Sequence, residues 1–140
     1  MSKKYYLAGP MSGISRFNFP EFKRVAEALR GAGYEIISPA ELDDPADHDI
    51  AMASMDGDPK AAGKKWSEFL ARDVKIITDE VDGIIFLENW IDSKGARLEA
   101  FVGSLKKDFE FKQWNSNGLV SELSKRYVLS RIFSEVDFRV

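Results

Sequence analysis

The sequence predicts a three-layer α/β sandwich built on a mostly parallel sheet of four to five strands, in one domain spanning residues 1–140. Three observations predict it. Short apolar runs (Tyr5–Ala8, Tyr34–Ile37, Val81–Leu87 and Phe109–Lys112) are too brief for helices and rich in β-branched or aromatic residues. The longer segments between them carry apolar residues at helical spacing. Strand and helix therefore alternate along the chain, and such alternation closes as parallel strands joined by right-handed crossovers.

Tyr5–Ala8, the first strand, breaks at Gly9-Pro10, and a loop of small residues carrying one cation, Met11–Arg16, follows. Asn18 reads as the cap of the first helix, with Pro20 in the first turn and Glu21 three residues on, the spacing of a capping box. Phe22, Val25, Ala26 and Leu29 form that helix's buried face, and Gly31 and Gly33 stop it. Tyr34–Ile37 is the second strand. The glycine loop after the first strand is placed to hold a phosphate or a ribose, although its Gly9-x-x-x-Gly13 spacing is neither a Walker loop nor a dinucleotide fingerprint.

No period is sustained from Leu42 to about Lys65, so residues 42–65 are expected to form a long loop, either a lid or a disordered segment. Its cluster of Asp44, Asp47, His48 and Asp49 lacks calcium-loop spacing and holds the chain's one His, so no metal is expected there. Trp66, Phe69, Leu70, Val74 and Ile77 then form the stripe of a helix. At about 100° per residue Asp73 falls near the middle of that stripe, while Arg72 and Lys75 point away and are expected in solvent. A carboxylate on a core-facing stripe is costly unless it is bonded, paired or facing a cleft. Asp73 is either a structural group that caps a neighbouring loop or a cleft acid whose pKa burial raises.

Val81–Leu87 is a buried third strand. Asp92 or Ser93 is placed to cap the next helix, whose stripe is Leu98, Phe101, Val102 and Leu105, and Gly95 permits close backbone approach. The uncapped N–H groups of such a turn attract anions. Glu99 flanks the stripe one turn into the helix: a surface residue, or a carboxylate leaning into the crevice at the carboxyl edge of the sheet. Phe109–Lys112 alternates as a fourth strand, Trp114–Gly118 is a turn, and Leu119 to about Phe133 reads as a weaker amphipathic helix. This is the element order of a flavodoxin- or Rossmann-like sandwich, with the first loop, Asp73 and the turn at 92–99 converging on one edge.

Composition narrows the function. There is no cysteine, which removes disulfides and thiolate chemistry. A net charge of −3 and a pI near 5.3 argue against a nucleic-acid polymer as partner. No apolar run approaches a membrane span, and a soluble cytoplasmic protein is expected.

Tyr6-Leu7-Ala8-Gly9-Pro10-Met11-Ser12-Gly13, Ser38-Pro39-Ala40-Glu41, Trp66 with Arg72-Asp73, Asp82-Gly83-Ile84 and Ser93-Lys94-Gly95-Ala96-Arg97-Leu98-Glu99 stand in an order that resembles a known family. It is the nucleoside 2-deoxyribosyltransferase-like superfamily, in particular its 2′-deoxynucleoside 5′-monophosphate N-glycosidases and their small phage-type members. The resemblance covers residues 5 to about 105. It implies that Glu99 is the nucleophile toward the sugar's anomeric carbon, that Asp73 is the acid assisting departure of the base, and that Tyr6 positions the nucleophile. Ser93 would read the 5′ end of the sugar, where transferases of free nucleosides carry Asp and monophosphate hydrolases carry Ser. Physically, a carboxylate repels a phosphate while a hydroxyl at a helix N-terminus donates to it. Gly9, Ser12, Gly13, Arg16 and Gly95 would complete the binding site.

The resemblance further implies a deoxynucleotide or deoxynucleoside substrate, no cofactor, no metal, and a homo-oligomer, dimer or higher, because the family completes its site from a neighbouring subunit's C-terminal region. Residues 113–140 diverge from that region, so no residue there takes this role by resemblance. The chemistry is coherent in itself, since cleavage of an N-glycosidic bond through an oxocarbenium-like state needs a carboxylate facing the anomeric carbon and an acid facing the base. The competing expectation is a nucleotide-binding or sensing module of the same fold with weak or no turnover.

Overall fold

The computed structural model describes residues 2–58 and 66–133. Five strands, β1 (Lys4–Ala8), β2 (Glu35–Ile37), β3 (Gly83–Phe86), β4 (Glu110–Trp114) and β5 (Val120–Leu123), form one sheet in the order β2-β1-β3-β4-β5. All neighbours are parallel except β4 and β5. The helices are α1 (Phe19–Gly31), α2 (Pro45–Ala53), α3 (Trp66–Asp79), α4 (Lys94–Ser104) and α5 (Lys125–Ile132). Among the described residues no helix is long and apolar enough to cross a membrane.

The period of two in β1 and β3 sorts their side chains onto two cores. Tyr5 and Leu7, with Ile85 and Leu87, pack against Phe22, Val25 and Leu29 of α1 and Ala51 of α2. Tyr6 and Ala8, with Ile84 and Phe86, pack against Ile76 and Ile77 of α3, Ala96 and Ala100 of α4, and Val128 and Ile132 of α5. This is the α/β sandwich that the alternation predicts.

Four local expectations are corrected. Asn18 does not close a capping box: it sits in the left-handed region at φ 62° and its side-chain amide donates to Pro10 O at 3.0 Å. Glu21 pairs with Arg24 instead. Residues 42–58 are not a structureless loop. Pro45 starts the nine-residue α2 and Asp44 caps it, accepting from Asp47 N at 2.9 Å. Periodicity misses so short a helix, whereas its cap and N-terminal proline are visible in the sequence.

The third correction lies at 119–124. The Asn115–Leu119 turn, with Gly118 at φ +86°, closes a hairpin, and Val120–Leu123 is a strand against β4 rather than the first turn of a helix. The helix begins only at Lys125, capped by Ser124. Fourth, of the expected stripe Val102 packs against the core but Leu98, Phe101 and Leu105 face outward, Leu105 at 73% exposure, and α4 buries Ala96, Glu99, Ala100, Gly103 and Ser104. Small residues allow the helix to lie close on the sheet: a Cβ at Gly103 would stand 2.5 Å from the Phe109 ring.

The segment carrying α2 is fastened to the loop after β1. Gly13 N donates to Gly57 O at 2.9 Å, Arg16 N to Ser54 O at 2.6 Å, and Gly57 N to Ser54 Oγ at 3.1 Å. The remainder of the expected lid, 59–65, lies outside the described residues. Gly57 adopts φ +66°, and a Cβ there would meet Ile14 O at 2.2 Å. Gly57→Ala is therefore expected to cost roughly 2–4 kcal/mol, from backbone strain plus the clash. Urea unfolding of the variant checks this, and an unchanged midpoint would show that the two segments are not joined there.

Candidate active site

The carboxyl ends of β1, β2 and β3 open into a cavity of about 640 Å³. It lies where the chain leaves β1 toward β2 on one side while β3 stands on the other, the crevice in which open α/β sheets bind ligands. Of the residues singled out in the sequence, Tyr6, Gly9, Ser12, Asp73, Ser93, Gly95 and Glu99 line it. Gly13 and Arg16 are not among the lining residues: both are exposed, and their backbones serve the fastening to Gly57 and Ser54.

Each carboxylate has a distinct setting. Glu99, 6% exposed, accepts a 2.5 Å hydrogen bond on Oε2 from the Tyr6 hydroxyl, which is itself fully buried on β1 between β2 and β3. Asp73 is buried beside them and accepts on Oδ1 from Arg72 Nε at 3.0 Å. The Tyr6 hydroxyl also lies against Asp73, but it has one proton to give, and the 2.5 Å contact directs that proton to Glu99. Burial pushes the Glu99 carboxyl well above the ordinary carboxylate range and the charge of Asp73 adds to this, while the Tyr6 hydrogen bond and Arg72 oppose it. Burial also raises Asp73, against the pull of Arg72. Tyr6 is held well above its ordinary value by burial and then by the two carboxylates, so it stays a phenol donor.

Arg72 is a correction to the sequence reading. Adjacent to Asp73, it belongs on the solvated side of an ideal helix, yet its long side chain turns back into the cavity. There it bonds Asp73, donates to Asp43 Oδ1 at 2.7 Å and Pro39 O at 3.4 Å, and lies 5.4 Å from the centroid of Phe69. Burial works against its charge, but Asp73 and Asp43 more than restore it. Helical periodicity places Cβ atoms and not the end of an arginine, so Arg72 and Asp43 were beyond its reach.

The apolar wall was only partly foreseen. Trp66, Phe69 and Leu70 line the cavity together with Phe17 and Phe19, and Trp66 is 50% exposed at its edge rather than in the core. Phe17 is brought there by an unusual backbone. Arg16, Phe17 and Asn18 are three successive non-glycine residues with φ between 52° and 62°, each costing roughly 1–2 kcal/mol. Burial of Phe17 and the Asn18–Pro10 bond hold them. His48 is stacked against Phe19, Asp44 caps α2 and Asp43 pairs with Arg72, so the acidic segment has structural work of its own.

At the opposite lip Ser93 caps α4, its Oγ accepting from Ala96 N at 3.1 Å, and Asp92 and Lys94 flank it on the cavity wall. The lining holds five acids (Asp43, Asp47, Asp73, Asp92 and Glu99) against two bases (Arg72 and Lys94).

The Glu99 shift has a thermodynamic sign. An unfolded Glu titrates near 4.3. Between that value and its higher folded value, the folded chain retains a proton that the unfolded chain releases, so stability falls as pH rises through this window. Glu99→Gln is therefore expected to be more stable than the native chain at pH 8, with the difference vanishing below about pH 4. Urea midpoints at the two pH values test this; a variant destabilised at pH 8 would contradict the buried-acid picture.

A family model described as a domain of unknown function (DUF4406) matches residues 3–107, a span that contains every described lining residue of the cavity. Neither a curated protein nor a solved structure matches the chain.

Proposed function

The chain belongs to the DUF4406 family, whose name carries no activity, and from its site we propose that it cleaves the N-glycosidic bond of a 2′-deoxynucleoside 5′-monophosphate. The observation that carries this reading is the Tyr6–Glu99–Asp73 group: two buried carboxylates in one crevice, one held by a phenol and the other by a guanidinium. Ionised Glu99 attacks the anomeric carbon, the electron pair of the carbon–nitrogen bond leaves with the base, and the base takes its proton from Asp73. Water then attacks the same carbon, returns a proton to Asp73 and frees Glu99; a second base in place of water gives deoxyribosyl transfer. The acidic lining suits the positive charge of the oxocarbenium-like state, and the aromatic wall suits a planar base. No metal or cofactor has a step in this scheme.

A second reading, a nucleotide-binding module without turnover, is favoured by one observation: burial drives Glu99 toward its neutral form, which is not nucleophilic. Incubation with a panel of deoxynucleosides and their 5′-monophosphates, with chromatography for free base, separates the two. Release by the native protein and a loss of at least about a thousandfold in Glu99→Gln is the expected result. Tight binding of a deoxynucleotide without any release would establish the binding module in its place.

Recognition of the 5′ phosphate is proposed for the α4 N-terminus, where the Ser93 hydroxyl, the first N–H groups of the helix and the Lys94 cation stand together. Ser93→Asp keeps the cap and adds a repelling carboxylate. The expected outcome is a fall of about tenfold to a hundredfold in kcat/KM for the monophosphate relative to the free nucleoside. Asp92 also lines the lip; a native preference for free nucleosides that Asp92→Asn reverses would assign the reading of the 5′ end to Asp92.

A further inference from the structure

The Arg72 fork is not used by the chemistry above. Its guanidinium joins two acids from separate elements: Asp73 on its own helix, at 3.0 Å, and Asp43 on the stretch between β2 and α2, at 2.7 Å. A third contact reaches Pro39 O just beyond the end of β2, and the Phe69 ring lies against the guanidinium. The Asp43 side chain is 5% exposed, and that of Asp73 13%, so neither acid is held by solvent. A surface ion pair would have a median worth near zero, whereas a forked pair lining a cavity fixes orientation.

We propose that Arg72 is a positioning residue that orients the Asp73 carboxyl through its fork to Asp43 and keeps it able to give its proton to the departing base, a role that rests on the N-glycosidase reading. Four groups face Asp73: Arg72 from α3, Asp43 from the β2–α2 stretch, Tyr6 from β1 and Glu99 from α4. Burial alone would make Asp73 a reluctant acid. The cation beside it offsets that reluctance, and Asp43 draws part of the cation away. The two partners of the fork therefore act on Asp73 with opposite signs.

That opposition supplies the test. Carbon-13 NMR of the side-chain carboxyl groups, with Asp73→Asn to assign the resonance, gives the Asp73 titration midpoint in the full chain without any substrate. Arg72→Gln is expected to raise this midpoint by about one pH unit or more, and Asp43→Asn to lower it. On a deoxynucleotide, Arg72→Gln should reduce kcat about a hundredfold with little change in KM. On a nitrophenyl 2-deoxyriboside 5′-phosphate, whose phenolate leaves without a proton, the loss should stay within about fivefold. Should Arg72→Gln fail to fold, Arg72→Lys, which keeps the cation and loses the fork, is expected to hold the midpoint near native while lowering kcat on the deoxynucleotide alone. Equal losses on both substrates, or a midpoint that moves in neither Arg72→Gln nor Asp43→Asn, would overturn the proposal. If the native protein turned over neither substrate, the glycosidase reading would fall, and the titration would still decide whether Arg72 governs Asp73.

Discussion

The close seat of α4 on the sheet is the constraint on which the rest of the structure depends. Ala96, Ala100 and Gly103 form its contact face, and no larger residue fits at Gly103 beside Phe109. Only at that spacing does a glutamate one turn into the helix reach the hydroxyl of Tyr6 on β1. The same closeness removes Glu99 from water and raises its pKa. Packing, burial and electrostatics at this point are one effect. A bulkier contact face would lift the helix, lengthen the Tyr6–Glu99 bond and return the carboxylate to ordinary behaviour.

A buried acid pair opposes stability, and the chain offsets that cost locally. Tyr6 gives its one proton to Glu99, and Arg72 gives one arm of its fork to Asp73, so each acid has a dedicated donor. The remaining arm extends to Asp43 and ties the stretch before α2 to α3. The left-handed run at Arg16–Asn18 stores strain close to the same cavity and is held by the bond from Asn18 to Pro10 and by the junction with Ser54 and Gly57. Both the strained run and the buried acid pair lie at the crevice.

The sheet was legible because buried strands and their crossovers have a period, and so was the position of Asp73, because a carboxylate breaks an apolar stripe visibly. Glu99 was legible as a position but not as a buried group: the larger apolar residues, Leu98, Phe101 and Leu105, suggested the wrong inner face. Side-chain size misleads wherever a helix packs through alanine and glycine. The α2 helix and the β5 hairpin were missed for a related reason, since each is shorter than the window over which a period can be recognised. Their signals were local, Asp44-Pro45 in one case and Asn117-Gly118 in the other. Arg72 and Phe17 could not have been found by periodicity, because one reaches the cavity through a long flexible side chain and the other through backbone in an improbable region.

The family match ends at residue 107, before β4, β5 and α5, yet the described lining of the cavity lies within the matched span. The C-terminal elements contribute elsewhere. Phe111 of β4 stacks on Phe86 of β3, Val128 and Ile132 of α5 fill the core beneath α4, and Arg97 of α4 donates to Ile132 O at 2.7 Å. These contacts hold α4 in the same core that contains Tyr6. Among the described residues, those beyond 107 therefore act on the site through the placement of one helix, and sequence can diverge there as long as that helix keeps its distance from the sheet. The acids, the phenol and the guanidinium have no such latitude, because the reaction proposed for them depends on separations of 2.5–3.0 Å.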